Sequence, residues 1–497
     1  MKSEKAKVGR KQFVGSALAF ALCYLILLVF IFIMVIVSHT SNWTSYLTEN
    51  ISRLLILIVG SFFLFFIVYY YFFFEDREFF AQARNMLLVF STLVFCVILS
   101  FVIGEYLNIY ARPMALLALL LVFPLNRRQT VLLNFVFSML MFMIDVYTME
   151  YVAFDINNAP YFSLMLNFVC GTCGVFVAGK VRTRVGVLLT SCVVVIPTII
   201  IVLLLNLPTV YGDWIEVIAS LGYSVLGCII SAVLAIALLP LLEVMFNKLT
   251  AFRLRELTST NAPILVRLKT EAPGTFNHSL IVAHLAETCA VAIGENAELA
   301  RAAGYYHDVG KLKQPDCFAE NQTGYNVHDE LTPELSADII RSHAGDGYDL
   351  LTASHLPEII ADVAREHHGT MPIKYFYNKA VRLLGEDVDI KNYSYLGPTP
   401  KTKIAAIIMI ADASEAAARA LTNRTQDNVE RVVRAIIEER MDLEQFAECN
   451  ITLRELTVIK ETLVEALSGV HHHRVKYPSI RFNREHKAVS DGKADEK

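Results

Sequence analysis

The chain has 497 residues, 55% of them hydrophobic and only 19% charged, with a formal net charge of -4. That length exceeds one ordinary core, the apolar share is that of a membrane protein, and the slight negative charge excludes a basic surface for long nucleic acid. The halves differ: the long apolar runs all lie before residue 245, whereas twelve of the thirteen histidines follow residue 270, His39 being the exception.

After the basic stretch MKSEKAKVGRK, the run Phe13–Ser38 is too long for the h-region of a cleaved signal peptide and reads as an anchor. Further runs follow at Leu54–Phe74, Met86–Gly104, Arg112–Leu125, Thr130–Ile144, Tyr161–Ala178, Val185–Leu205 and Ile215–Leu242, about eight spans in all. The run at Arg112 is short and opens on Arg-Pro. Charge supports its crossing: Lys2, Lys5, Lys7, Arg10 and Lys11, then Arg77 and Arg84, Arg127 and Arg128, and Lys180, Arg182 and Arg184 fall on alternate loops. The opposite loops hold Arg53 and Arg112 beside Asp145, Glu150 and Asp155. Lys- and Arg-rich short loops stay in the cytoplasm, so both ends are expected there. Glu105 and Asp145, near span ends, read as loop positions. Nine cysteines are scattered, and Cys170 and Cys173 form a C-x-x-C inside an apolar run, read as packing residues; no disulfide framework is expected.

Beyond the bundle (13–243), the stretch 244–262 begins as a mixed apolar and basic helix, read as a connector. From 263 to 478 apolar residues recur at three and four, as in SLIVAHLAETCAVAI and TKIAAIIMIADASEAAARAL, predicting an all-α domain. A basic N-terminus (1–12) and a polar, disordered tail (479–497) flank the whole.

Candidate chemistry lies in this second half. In GYYHDVGKLKQ (304–314), His307, Asp308 and Lys311 share a face, and Gly310 allows close backbone approach to a ligand. His278 opens a helix after a Pro-Gly turn, His343 precedes a glycine, and EHHGT places His367 and His368 before the helix-ending Gly369. Asp412 follows the apolar KIAAIIMIA, which leaves two readings: a carboxylate offset by a cation, or an N-cap completed by Glu415. The set His278, His307, Asp308, His343, His367, His368 and Asp412 offers mixed N/O ligands without cysteine, too many for one metal and suited to two bridged by a carboxylate. His284 and His355 read as ordinary helix residues, and the run His471, His472 and His473 as a solvated face.

The ordered His…His-Asp…His…His-His…Asp, in the wording EAPGTFNHSL, AAGYYHDVGKLKQPDCFAENQ, NVHDELTPELSADIIRSH, EHHGT, KYFYNKA and HHHRVKYP, resembles the HD-domain phosphohydrolases. It is closest to the seven-transmembrane HD hydrolases, the membrane-bound cyclic-di-AMP phosphodiesterases of bacteria. The resemblance implies a multi-pass bacterial inner-membrane protein with a cytoplasmic HD domain. It implies one metal on His278, His307, Asp308 and Asp412 and another on His343, His367 and His368, with Asp308 bridging and iron or manganese bound. Asp308 and Lys311 would be catalytic, Lys311 facing a substrate phosphate, and Asn326, His328 and Asp329 would line the nucleotide pocket. The implied reaction is hydrolysis of cyclic-di-AMP to pApA. Family members usually carry a large external domain between the first two spans; here TSNWTSYLTENISR replaces it. Other readings stay open: a cyclic-di-GMP phosphodiesterase, though no Gly-Tyr-Pro follows the His-His segment; another nucleotide phosphohydrolase; or a receptor whose HD domain binds without cleaving. A homodimer through the bundle or connector is also left open.

Overall fold

The computed structural model describes residues 10–39, 43–148, 159–205, 214–322 and 324–468. The basic residues before Arg10, Glu150, Asp155, His471, His472, His473 and the tail from 479 lie outside the described residues. Regular structure among the described residues is helical, with one isolated bridge between Pro372 and Ser394.

The first half comprises α1 (Arg10–Ser38), α2 (Trp43–Glu49), α3 (Ile51–Glu75), α4 (Arg77–Ala81), α5 (Ala83–Tyr106), α6 (Leu116–Leu121), α7 (Arg127–Thr148), α8 (Ala159–Ala178), α9 (Arg184–Leu205) and α10 (Trp214–Met245). By length and hydropathy, 7 described helices suffice to cross a membrane: α1, α3, α5, α7, α9, α10 and Pro273–Ile293. The last carries His278 and packs inside the second half, so its apolar face serves a soluble core. Two shorter apolar helices, Ile109–Leu121 and Ser163–Ala178, join the other six in the bundle. Leu18, Leu22, Phe62, Phe63, Phe66 and Leu189 are exposed, an apolar surface of the kind that faces lipid in a multi-pass membrane protein.

The short segment α6 is held between Pro113 and Pro124, which limit the helix at both ends. All six of its residues are buried, packed by α5, α7, α8 and α10. At its head lies a feature that the sequence reading misplaced. Asp145 is no loop residue: it sits fully buried in α7, and its carboxylate accepts from Arg112 Nη1 at 2.6 Å and Nη2 at 2.9 Å. Arg112 Nη1 also donates to Ser163 Oγ at 3.1 Å. A charge this deep persists only with such a partner. Glu105, in the last turn of α5, is exposed.

The connector is not one helix. After α10 the chain turns through Asn247, at φ 48°, and re-forms as α11 (Ala251–Leu257), capped by Thr250 Oγ1, which accepts from Arg253 N at 3.2 Å. Arg184, at the start of α9, binds Glu243 of α10 at 3.0 Å and Glu256 of α11 at 2.6 Å, which ties connector to bundle. Tyr306 then donates to Leu257 O at 2.8 Å, linking α11 to the second half.

That half contains α12 (Pro263–Glu271), α13 (Pro273–Ile293), α14 (Ala297–Tyr306), α15 (Pro333–Ala353), α16 (Glu358–Glu366), α17 (Lys374–Leu384), α18 (Lys403–Ala420), α19 (Gln426–Asp442) and α20 (Leu453–Ser468). Its core centres on α13 and α18, through residues such as Leu285, Ala286, Cys289, Ile407 and Ile408. Pro273 occupies the first turn of α13, so His278 lies inside that helix rather than at its opening. His355 also departs from the sequence reading: it follows α15 with φ 55°, outside any helix.

Candidate metal centre

Two helix ends and three helix interiors deliver the site. Helix α14 stops at Tyr306 with His307 as its C-cap, and Asp308 opens the 3-10 turn Val309–Lys313. Gly310 holds that turn against α15, where an added Cβ would meet His343 O at 1.9 Å, so its smallness serves helix packing rather than the ligand approach expected from sequence. His343 projects from α15, and His367 and His368 follow α16, after which Gly369 at φ 53° turns the chain away. His278 and Asp412 come from the middles of α13 and α18. Because α18 starts on Thr402 and runs unbroken past Asp412, the N-cap reading of Asp412 is set aside.

All seven side chains meet. Asp308, His343, His367 and His368 form one group, and His278, His307 and Asp412 another; within each, the ligand atoms lie within 4.8 Å of one another. Asp308 stands between them. Its Oδ2 lies 3.3 Å from His307 Nε2 and 3.6 Å from His278 Nε2, while Oδ1 lies 3.3 Å from His343 Nε2 and 3.6 Å from His367 Nε2. Asp412 closes the second group, with Oδ1 2.9 Å from His278 Nε2.

The far side of each ring explains why these nitrogens converge. Nδ1 of His307, His343 and His367 donates to the carbonyl three residues earlier, Gly304 at 2.8 Å, Ile340 at 2.6 Å and Ala364 at 2.8 Å. His278 Nδ1 bonds Glu415 Oε2 at 2.8 Å, and Arg419 Nη2 binds the same carboxylate oxygen at 2.6 Å. The three carbonyl bonds fix tautomers whose Nε2 lone pairs face inward, the arrangement that metal-ligating imidazoles adopt, and the Glu415 bond orients the His278 ring. Meanwhile His307 Nε2 and Asp308 Oδ1 are buried without a hydrogen-bond partner. Buried polar atoms are rarely left so, and a cation between them would satisfy both. The donor set therefore fits divalent metal ions, and no cysteine belongs to either group.

Electrostatics agree. Burial, then the neighbouring His367 and His343, holds the His368 imidazole well below its ordinary range, and burial lowers His367. Burial alone would raise the Asp308 carboxyl, but the Lys311 ammonium and His307 keep it well below the usual carboxylate range. Neutral imidazoles and ionised carboxylates are the forms that bind metal.

A cavity of about 460 Å³ opens over the cluster, lined among others by Lys311, Phe318, His343, Tyr395 and Arg419. Lys311 Nζ is not idle there: it sits 2.7 Å from Asp308 Oδ2 and 2.8 Å from Glu320 Oε1. Asn326, His328 and Asp329 are not among the lining residues. They build a 3-10 turn instead, in which Asn326 caps His328 N and His328 Nε2 bonds Cys317 O at 2.7 Å. Three residues that the sequence reading did not assign to the site belong to its walls. Glu415 had appeared only as a cap partner, although its i+3 spacing from Asp412 placed it on the same helix face. Arg419, four residues further, continues that face. Tyr395, whose ring stacks on His368 with centroids 4.2 Å apart, carried no signal.

A helical domain that gathers histidines and aspartates from separate helices into one buried cluster is the arrangement of an HD domain, and the HD-domain family matches residues 275–417. Residues 51–250 match the family described as a 7TM receptor with intracellular HD hydrolase. It is 43% identical over 281 residues to the cyclic-di-AMP phosphodiesterase PgpH of Listeria monocytogenes, covering 56% of this chain and 39% of that protein. To the Bacillus subtilis protein of the same name it is 37% identical over 380 residues, covering 75% of this chain and 52% of that protein. The chain thus spans about half or less of these relatives' length. A crystal structure of the L. monocytogenes PgpH HD domain in complex with cyclic-di-AMP matches with 46% identity, 43% of this chain and 100% of that one covered, and a TM-score of 0.42.

Proposed function

We propose that this chain is a membrane-anchored, metal-dependent phosphodiesterase that hydrolyses cyclic-di-AMP to linear pApA and so sets the level of a bacterial second messenger. One observation carries the reading: a single carboxylate, Asp308, turns one oxygen to each of two histidine groups, in a chain similar to proteins named cyclic-di-AMP phosphodiesterases. In this reading His278, His307, Asp308 and Asp412 hold one divalent ion, and His343, His367, His368 and Asp308 the other, with iron or manganese suited to the N/O set. Such ions supply Lewis acidity that activates water and neutralises phosphoryl charge.

The protein's own residues do the rest. Glu415 orients His278, and backbone carbonyls orient His307, His343 and His367, so the ligand geometry precedes metal loading. Lys311 holds its ammonium at the cavity wall, beside Asp308, where it offsets the charge of a bound phosphodiester. Tyr395, stacked on His368, presents an aromatic edge to the incoming nucleotide. Arg84, Arg127, Arg128, Lys180, Arg182 and Arg184 favour cytoplasmic loops, which supports an inner-membrane protein with its HD domain in the cytoplasm. We read the domains as a bundle to about residue 243, a connector to 262 and the HD domain from 263.

The test is hydrolysis by the purified full chain in detergent, with manganese or ferrous iron, of cyclic-di-AMP and cyclic-di-GMP. Metal-dependent release of pApA that disappears in Asp308→Ala supports the reading. Preference for the guanine dinucleotide, or binding without turnover under every metal, would refute it.

A further inference from the structure

A second cavity, of about 620 Å³, lies where the bundle meets the HD domain. Its walls come from the start of α5, the turn after α10, the outer face of α16 and the residues leading into α18. Three cations line it: Arg84, Lys248 and Lys401. Each comes from a different element, and none forms an ion pair with a carboxylate among the described residues. Lys248 is half-buried, with its ammonium 5.2 Å from the Phe79 ring. Burial, then the charge of Arg84, lowers the Lys248 ammonium, and the Asp76 carboxylate only partly opposes them, which marks two like charges brought close together.

Carboxylates also face this space, but each already accepts a hydrogen bond from another group. Asp362 accepts from Arg365 Nη2 at 2.8 Å, Glu366 accepts from Lys401 N at 3.1 Å, and Glu358 accepts from Asn247 Nδ2 at 3.4 Å. Arg84 and Lys248 stand at the rim of the bundle, where helices α5 and α10 end, and Lys401 faces them from the HD domain.

We propose that this junction cavity is a binding site for a phosphate-bearing anion, the chemistry shared by an anionic lipid headgroup and a soluble phosphate compound. Arg84, Lys248 and Lys401 are the contacting groups. The occupant lies against α16, the helix that delivers His367 and His368, but the proposal concerns binding alone and stands whether or not the hydrolysis proposed above is correct.

The experiment titrates the full chain in zwitterionic detergent with dihexanoyl phosphatidylglycerol, dihexanoyl phosphatidylcholine and inorganic pyrophosphate, reading bound ligand by native mass spectrometry. Arg84→Gln with Lys401→Gln changes two exposed side chains and leaves the fold intact. Lys180→Gln with Arg182→Gln removes the same charge from the same rim outside the cavity. We expect saturable binding of the glycerol lipid or of pyrophosphate, weakened about tenfold by the first pair of changes and unchanged by the second. Binding of the glycerol lipid alone identifies a headgroup site, and binding of pyrophosphate alone a soluble-anion site. Equal weakening by both pairs would reduce the effect to the general field of a basic rim and overturn the proposal, as would the absence of saturable binding by either anion.

Discussion

The bundle and the HD domain each bury charge, and they handle it in opposite ways. In the bundle, Arg112 and Asp145 meet through two parallel hydrogen bonds of 2.6 and 2.9 Å, and the carboxylate has both oxygens satisfied. In the HD domain, Asp308 is just as deeply buried, yet its Oδ1 has imidazole nitrogens at 3.3 and 3.6 Å and no hydrogen bond, and His307 Nε2 has none either. The first arrangement neutralises its charges within the pair and leaves the Arg112 Nε without a partner. The second is complete only around a cation. Burial of charge therefore does not mark function by itself; a buried carboxylate that faces converging imidazole nitrogens without hydrogen bonds does.

This contrast can be broken first at Asp308. Asp308→Ala removes the group shared by both halves of the cluster, and turnover should fall on the order of 10³-fold or more, with metal content dropping in elemental analysis while the helical circular dichroism persists. The bundle pair comes next. Arg112→Ala leaves Asp145 charged and alone, and should destabilise the detergent-solubilised protein by about 3–5 kcal/mol in thermal unfolding. Replacing both residues with leucine and methionine should recover most of that loss, whereas no apolar replacement of Asp308 and His307 restores metal. A smaller effect is expected at Glu415. Glu415→Gln keeps the side-chain volume but weakens the bond that orients His278, so metal affinity should fall about 10- to 100-fold in a chelator competition, with little change in melting temperature.

The smallest effect is read from pH. In the metal-free protein, burial works to lower the His278 imidazole, but its hydrogen bonds to Asp412 and Glu415 overcome that and raise it from 6.5 to about 10. A folded-state value above the unfolded one stabilises below the unfolded value and loses that contribution as pH rises through the folded one. The melting temperature of the metal-free protein should thus exceed that of His278→Gln most below pH 6.5, and the gap should close as pH passes about 10. A gap that widened with pH would show that His278 is neutral in the metal-free fold.

Much of the site was legible in the sequence because its members sit at punctuation that local rules reveal: His307 and Asp308 where α14 ends, His367 and His368 before Gly369, Asp412 within an otherwise apolar helix. Their convergence is tertiary and came from the family resemblance, not from spacing. The eight apolar segments were legible as well, including the weak one at Arg112. What stayed hidden depended on partners distant in the chain. Arg112 and Asp145 are 33 residues apart, and each lies near the end of a run, where charge ordinarily means a loop. Tyr395 belongs to an irregular stretch whose position is set by packing on His368. Asn326, His328 and Asp329 left two readings open, nucleotide pocket and loop structure, because polar side chains in a loop serve turn-building and binding alike, and the structure shows the Asn326 cap in the turn.

The position of α6 bears on how the chain is made. A ribosome releases Arg112 well before Asp145, with 33 residues of synthesis between them. During that interval the guanidinium has no carboxylate, and a six-residue helix between two prolines is too short to enter lipid unaided. The segment must wait at the mouth of the insertion machinery until α7 emerges, and α8 then supplies Ser163. Burial of the Arg112 charge with its partners thus cannot be complete before α7 and α8 have been made, and a truncation placed between residues 112 and 145 leaves the guanidinium without its carboxylate.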